Sequence, residues 1–152
     1  MVMLALTKKT GYALVAMTHL ARMDGGVSSA REIAELFGTP TALLMNVLKQ
    51  LAAAGFVESV RGAHGGYRLA KPLERISLAD VVEAMEGPVR LSECLAIPAL
   101  HEECTGDLMA RCPINDPMHR VQRKLNDFLK KVTLAEIIEP TLLSERQVLS
   151  SE

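Results

Sequence analysis

Tryptophan is absent from this 152-residue chain, and three phenylalanines and two tyrosines bring the aromatic content to only 3%. The core must therefore be aliphatic, built from Leu, Val, Ile, Ala and Met within a hydrophobic content of 49%. That content excludes disorder over most of the chain, since a disordered chain is poor in apolar side chains. No apolar run approaches the roughly 20 residues that span a bilayer. The opening "MVMLALTKKTGYALVAM" sets its lysines after a short apolar stretch, the reverse of a secretory signal. These absences predict a cytoplasmic protein with no membrane role. Cysteine is scarce too, and an odd count of three argues against a structural disulfide framework. There is no nucleophile–base motif or paired-carboxylate pattern, so an enzyme is not expected. The length suffices for one compact domain, or for a small domain with an arm.

Net charge is scarce as well, at −1, but its distribution is uneven. Residues 1–75 hold nine Lys and Arg against five Asp and Glu, and residues 76–152 hold eight against thirteen. The halves thus carry +4 and −5. A basic first half suits a polyanionic partner, although chance scatter of solvated charges gives the same sums.

What is present in the first half is mostly helical punctuation. From Thr7, the residues Tyr12, Val15, Ala16, His19, Leu20 and Met23 recur at helical spacing, with His19 expected as a partly buried packing residue. "DGGVSS" breaks this helix. Ser29 and Glu32 then form a capping box for a short helix to Phe37, ended by Gly38. Thr39 and Pro40 read as the N-cap and first residue of a third helix, which runs through Ala54 to Gly55. Two helices joined by a short glycine turn make a helix-turn-helix candidate. In the second of them Leu44, Val47, Leu48 and Leu51 share one face, while Thr41, Ala42, Met45, Asn46 and Lys49 share the other. That second face is small, polar and free of acid, as entry into a DNA major groove requires.

The next segment contains "SVRGAHGGYRLA", with Gly62, Gly65 and Gly66 within five positions. "FVESV" before the glycines and "YRLA" after them alternate like short strands. A nucleotide loop would open a helix and continue into Gly-Lys-Ser/Thr, whereas this one returns into a strand. The expectation is a two-stranded hairpin wing, with Arg61, His64 and Gly65 at a tip able to approach phosphates or a minor groove. An ordinary surface hairpin has the same local pattern.

In the second half Ser77 and Asp80 cap a short helix to about Glu86, ended by Gly87 and Pro88. Asp116 and Pro117 are expected to open a longer helix in which Met118, Val121, Leu125, Phe128 and Val132 alternate by threes and fours. That is the seam of a two-stranded packing, flanked by Arg120, Arg123, Lys124, Lys130 and Lys131. A core helix of a single chain carries the same pattern, but a winged domain gains more from a two-fold partner on paired half-sites. Between the two helices lie all three cysteines, Cys94, Cys104 and Cys112, spaced C-x9-C-x7-C. Thiolates in a loop can converge on zinc or an iron–sulfur cluster. Cysteine also serves as a small apolar filler.

The segments "LTKKTGYAL", "LKQLAAAGFVESVRGAHGGYRLAKP", "ISLADVVEAMEGPVRLSEC" and "FLKKVTLAEII" together resemble the Rrf-type winged-helix regulators that include IscR and NsrR. They are most similar to the subset that regulates the SUF iron–sulfur assembly system. The resemblance implies a mainly α fold, with a winged helix-turn-helix DNA-binding domain over 1–75 and a cysteine loop and dimerisation helices over 76–138. Residues 139–152 form a tail. It also implies a homodimer on a pseudo-palindromic double-stranded DNA operator. Ala42, Met45 and Asn46 match base-reading positions, Arg61 the wing arginine, and Thr7, Lys8 and Tyr12 the residues near the phosphate backbone. Met45 departs from members with an acidic side chain there. Cys94, Cys104 and Cys112 would hold an iron–sulfur cluster, [2Fe-2S] before [4Fe-4S]. The fourth ligand departs from the pattern, because the positions that supply it in relatives are Asn115 and Gly11 here. His101, Glu102, Glu103, Asp116 and His119 are the local candidates. Two rival readings stand beside this one: a regulator of the same fold that senses by cysteine oxidation or a metabolite, and a small metal-dependent enzyme.

Overall fold

The computed structural model describes residues 6–91 and 112–139. Three helices come first: α1 (Lys8–Arg22), α2 (Ala30–Phe37) and α3 (Thr41–Ala53). Strands β1 (Val57–Val60) and β2 (Gly66–Leu69) follow, then a single 3-10 turn at Leu73–Arg75 and α4 (Leu78–Glu86). The long helix α5 (Asn115–Lys131) comes next, and residues 134–139 are again helical. This is the winged helix-turn-helix expected from the sequence.

Both expected capping boxes form. Ser29 accepts from the Glu32 amide at 3.2 Å while the Glu32 carboxylate accepts from the Ser29 amide at 2.7 Å. Ser77 and Asp80 do the same at 3.1 and 2.8 Å. Each closes orphan amide donors at a helix start. Gly38 ends α2 in the left-handed region at φ 62°, a conformation that only glycine adopts without strain.

Two helix starts differ by one residue or more from the sequence reading. Pro40, not Thr39, is the N-cap of α3, because its carbonyl already accepts the Leu44 amide at 3.1 Å. The Thr39 hydroxyl is buried and has no hydrogen-bond partner among the described residues. Similarly, Ile114 rather than Asp116 caps α5, its carbonyl taking the Met118 amide at 2.9 Å.

The core-facing side of α1 is also turned from the expected stripe. Ala13, Ala16, Met17 and Leu20 are buried, whereas Met23 is exposed and Tyr12, Val15 and His19 are half-buried. The reason is that α1 packs against both α3 and α4. Two alanines let both helices approach closely, and Tyr12 packs at the margin of the core.

One hydrophobic cluster runs from Ala13 and Met17 through Leu44, Leu48 and Leu51 to Ile76, Val81, Met85, Leu134 and Ile138. The stretch at 134–139 is pulled in by a two-rung bridge. The Leu78 amide donates to the Val132 carbonyl and the Leu134 amide to the Ile76 carbonyl, both at 2.8 Å. Among the described residues no helix is long and apolar enough to cross a membrane.

Candidate nucleic-acid interface

The reading face of α3 is set by its buried face. Leu44, Val47, Leu48 and Leu51 are all buried, at 1% exposure or less, so rotation about the helix axis is fixed. Thr41, Ala42, Met45, Asn46 and Lys49 are consequently all exposed, as their spacing predicts. Behind the turn, His19 on α1 meets both the residue ahead of the α2 cap and the end of α2. Its Nε2 lies 3.1 Å from the Ser28 hydroxyl and its ring meets Phe37 edge to face at 6.0 Å. Burial, and then the Arg22 charge, lower the His19 pKa, with Glu32 opposing them. Half-buried against Phe37 and Ser28, His19 packs as expected.

The wing pairs Val57 with Leu69, Glu58 with Arg68, Ser59 with Tyr67 and Val60 with Gly66. Glu58 and Arg68 also form an ion pair on its outer face. Arg61 and His64 are exposed at the tip. Gly62 there has φ 129°, and its carbonyl accepts the Gly65 amide at 3.0 Å. Gly65 is half-buried, and a Cβ at this position would stand 2.4 Å from the Val60 carbonyl, so the turn itself demands glycine.

Sequence reasoning missed an isolated bridge that ties this two-stranded wing to Ser28. Ser28, in the segment read only as a helix breaker, exchanges two backbone hydrogen bonds with Tyr67, at 3.0 and 2.8 Å. Gly66 lies against this rung so closely that a Cβ would meet the Ser28 carbonyl at 2.4 Å. The hairpin is thereby anchored to the start of the helix-turn-helix.

At the N-terminus of α1, Lys8 is exposed, but Thr7 is engaged within the chain. Its amide and hydroxyl both donate to Glu86 Oε1, at 2.9 and 2.8 Å. The buried Thr10 hydroxyl donates to the same oxygen, and Lys9 Nζ donates to the Met85 carbonyl at 2.7 Å. Glu86 thus caps α1 from the far end of α4, an anion at a helix N-terminus where the dipole favours it. Burial pushes its carboxyl up, but the hydrogen bonds from Thr10 and Thr7 and the Lys9 charge outweigh this and hold it below the usual range. Neither Glu86 nor Lys9 was foreseen as part of this corner.

The expected seam of α5 divides. Met118, Leu125 and Val132 are half-buried, and Leu125 lines a cavity of about 350 Å³ with Leu6, Leu78 and Val82. Val121 and Phe128 instead face outward, 49% and 62% exposed, and Ile114 continues their seven-residue spacing. No residue of this 17-residue helix is fully buried. Gln122 ties it to the segment after α4, accepting from the Leu91 amide at 2.7 Å and donating to the Val89 carbonyl at 2.6 Å.

Of the cysteines, Cys94 and Cys104 lie outside the described residues, as do His101, Glu102 and Glu103. Cys112 is exposed just ahead of α5, and its carbonyl accepts the Asn115 amide at 3.2 Å. Asp116 and His119 share a surface hollow with Arg120 and Arg123. Among the described residues no three His, Cys, Asp or Glu side chains are grouped to hold a metal ion. Cys112 supplies a soft sulfur donor with open access, which fits a thiolate-ligated centre as one ligand of several.

Comparison with known proteins agrees with this architecture. Residues 6–140 match the family model described as Rrf2, iron-dependent transcriptional regulator. Protein aau3 of Rhizobium meliloti (strain 1021) is 31% identical over 134 residues, covering 88% of this chain and 84% of that protein. CymR, the global cysteine regulator of B. subtilis, superposes with a TM-score of 0.67 at 27% identity, covering 90% of this chain and 98% of that one. IscR of T. potens gives a TM-score of 0.64 at 27% identity, covering 91% and 88%. With the winged fold and a family match over nearly the whole chain, this protein belongs to the Rrf2 family of winged-helix transcriptional regulators.

Proposed function

We propose that the protein is a homodimeric DNA-binding regulator that senses iron–sulfur cluster or redox status through its three cysteines and controls iron–sulfur assembly genes. The observation that carries the DNA reading is the outward face of α3. Five neighbouring exposed side chains there include no acid, and the helix packs on a hairpin whose tip bears Arg61 and His64. In this reading Thr41, Ala42, Met45 and Asn46 face base edges. Lys8, Lys49 and His64 face phosphates, Arg61 faces phosphates or the minor groove between them, and Thr7, Tyr12 and Gly65 shape the surface around them. The pseudo-palindromic operator follows from a two-fold partner docked through Val121 and Phe128, with Met118, Leu125 and Val132 beside them.

Cys94, Cys104 and Cys112 would be the cluster ligands, and a [2Fe-2S] centre is the favoured group. A bound cluster would supply redox chemistry and a reversible crosslink between the cysteine segment and α5. Support comes from the family's description as iron-dependent and from the likeness to T. potens IscR. Coupling between cluster and DNA would be worth about 1–3 kcal/mol, typical of linked binding sites.

A second reading has its own support, namely direct thiol sensing without a cluster. The likeness to CymR, described as a global cysteine regulator, and the exposed Cys112 favour it. Anaerobic purification separates the two, with a visible spectrum and iron and sulfide counts for wild type and Cys104→Ala. A chromophore lost in the variant supports the cluster. A colourless, iron-free wild type that still binds duplex DNA selects the thiol reading.

A further inference from the structure

We propose that the outward face of α3 selects A·T base pairs, through thymine methyl groups and one adenine edge. The inference rests on the DNA-reading role given to α3 above and specifies what it reads. In a recognition helix the N-terminal residues reach base edges. Here the outward residues of that half are Thr41, Ala42, Met45 and Asn46, all exposed and all uncharged. Lys49 lies a full turn beyond Met45.

The chemistry of these four side chains is selective by what it omits. The commonest guanine contact is a bidentate Arg or Lys on O6 and N7, and cytosine N4 calls for a carboxylate acceptor. Neither type stands in this stretch. Thr41, Ala42 and Met45 instead offer methyl groups, which match the thymine C5-methyl, and Asn46 offers the donor–acceptor pair that fits adenine N6 and N7. Met45 is 42% exposed. The fold leaves this part of Met45 uncovered, and a thymine methyl would complete its apolar contact. Met is unbranched and adjusts its shape to such a contact.

The wing favours the same composition independently. Its exposed Arg61 makes no ion pair among the described residues, and Gly62 and Gly65 keep the tip narrow. Arginine is drawn to the narrow, strongly negative minor groove of A-tracts. Two separate elements of one chain thus point to A·T-rich DNA.

The test is selection of a random duplex library on the anaerobically purified full-length protein. The selected half-site is then resynthesised with deoxyuridine in place of thymidine. Selection of A·T pairs at the α3 positions supports the proposal, as does an affinity loss of about fourfold for each contacted methyl removed. Asn46→Ala should lose on the order of tenfold discrimination at one adenine, and Met45→Glu should turn a neighbouring preference toward cytosine. Both positions are exposed, so folding is not at stake. Enriched duplexes carrying G·C at these positions, or indifference to uracil, would overturn the proposal and leave DNA binding intact. No enrichment at all would overturn both.

Discussion

Replacing Glu86 by alanine tests the corner that joins α1 to α4. One carboxylate oxygen there accepts from the Thr7 amide, the Thr7 hydroxyl and the Thr10 hydroxyl. The Thr7 arm is exposed, so solvent can replace it and its net contribution is small. Thr10 differs, because it is fully buried and its hydroxyl donates to Glu86. Without Glu86 that hydroxyl loses its partner away from water, a change that costs about 1–3 kcal/mol. Loss of an anion at the α1 N-terminus adds about 0.3–1 kcal/mol. The expected total is about 2 kcal/mol, or a fall in Tm of about 4–8 °C for a chain of this size. Thr10→Val in the Glu86→Ala background should recover part of that loss, since no hydroxyl is then stranded. Additivity of the two substitutions to within about 0.5 kcal/mol would refute the account. The pH dependence has a definite sign. The folded-state carboxyl titrates below its unfolded value of about 4.3, so its stabilisation is whole above that pH. It disappears as pH falls through the folded value. Thermal melts of wild type and Glu86→Ala should therefore converge in acid, and a gap that widens below about pH 4 would contradict the assignment.

Two glycines should respond in opposite directions to the same substitution. Gly66→Ala drives a Cβ against the Ser28 carbonyl at 2.4 Å and should cost on the order of 2 kcal/mol or more in chemical denaturation. Gly11→Ala meets nothing within 4 Å inside α1 and should stabilise by up to about 1 kcal/mol. Arg61→Ala should leave the melting temperature unchanged, weaken duplex binding and lower the salt slope by about one; unchanged binding removes the wing from the interface. Phe128→Asp should give monomers in sedimentation with the helical content retained, because this ring is 62% exposed in the single chain. A persisting dimer would move the interface elsewhere.

Features encoded within three or four residues were legible in the sequence. The capping boxes at Ser29 and Ser77, the stop at Gly38 and the inward leucines of α3 each depend on near neighbours. They formed as read. What escaped depends on residues far apart in the chain. The Ser28–Tyr67 rung spans 39 positions and the Glu86–Thr7 cap spans 79. No local pattern marks either one in advance. The turn of α1 escaped for a related reason. A stripe read at helical spacing assumes one packing partner, and α1 packs against α3, α4 and β2. Ala13 and Ala16 carry little hydrophobic signal, yet their small size admits close neighbours. The two shifted helix starts are smaller cases, since Pro40 and Ile114 cap through backbone carbonyls that side-chain chemistry does not reveal.

The seam of α5 shows how far such a pattern reaches. Threes and fours place Met118, Val121, Leu125, Phe128 and Val132 on one side of the helix, but not against one partner. Leu125 faces α4 and Val132 joins the backbone bridge, while Ile114, Val121 and Phe128 stay in solvent at seven-residue spacing. A coiled-coil seam buried by a single chain would hide both sets. Leaving large apolar side chains uncovered forfeits about 25 cal/mol for each Å² that a partner could bury. The exposed faces of α3 and α5 therefore differ in the partner their chemistry suits. That of α3 is small and uncharged with lysine at its far end, which suits a groove edged by phosphates. That of α5 sets a phenylalanine and a valine among cations, which suits the apolar centre and polar rim of a protein interface.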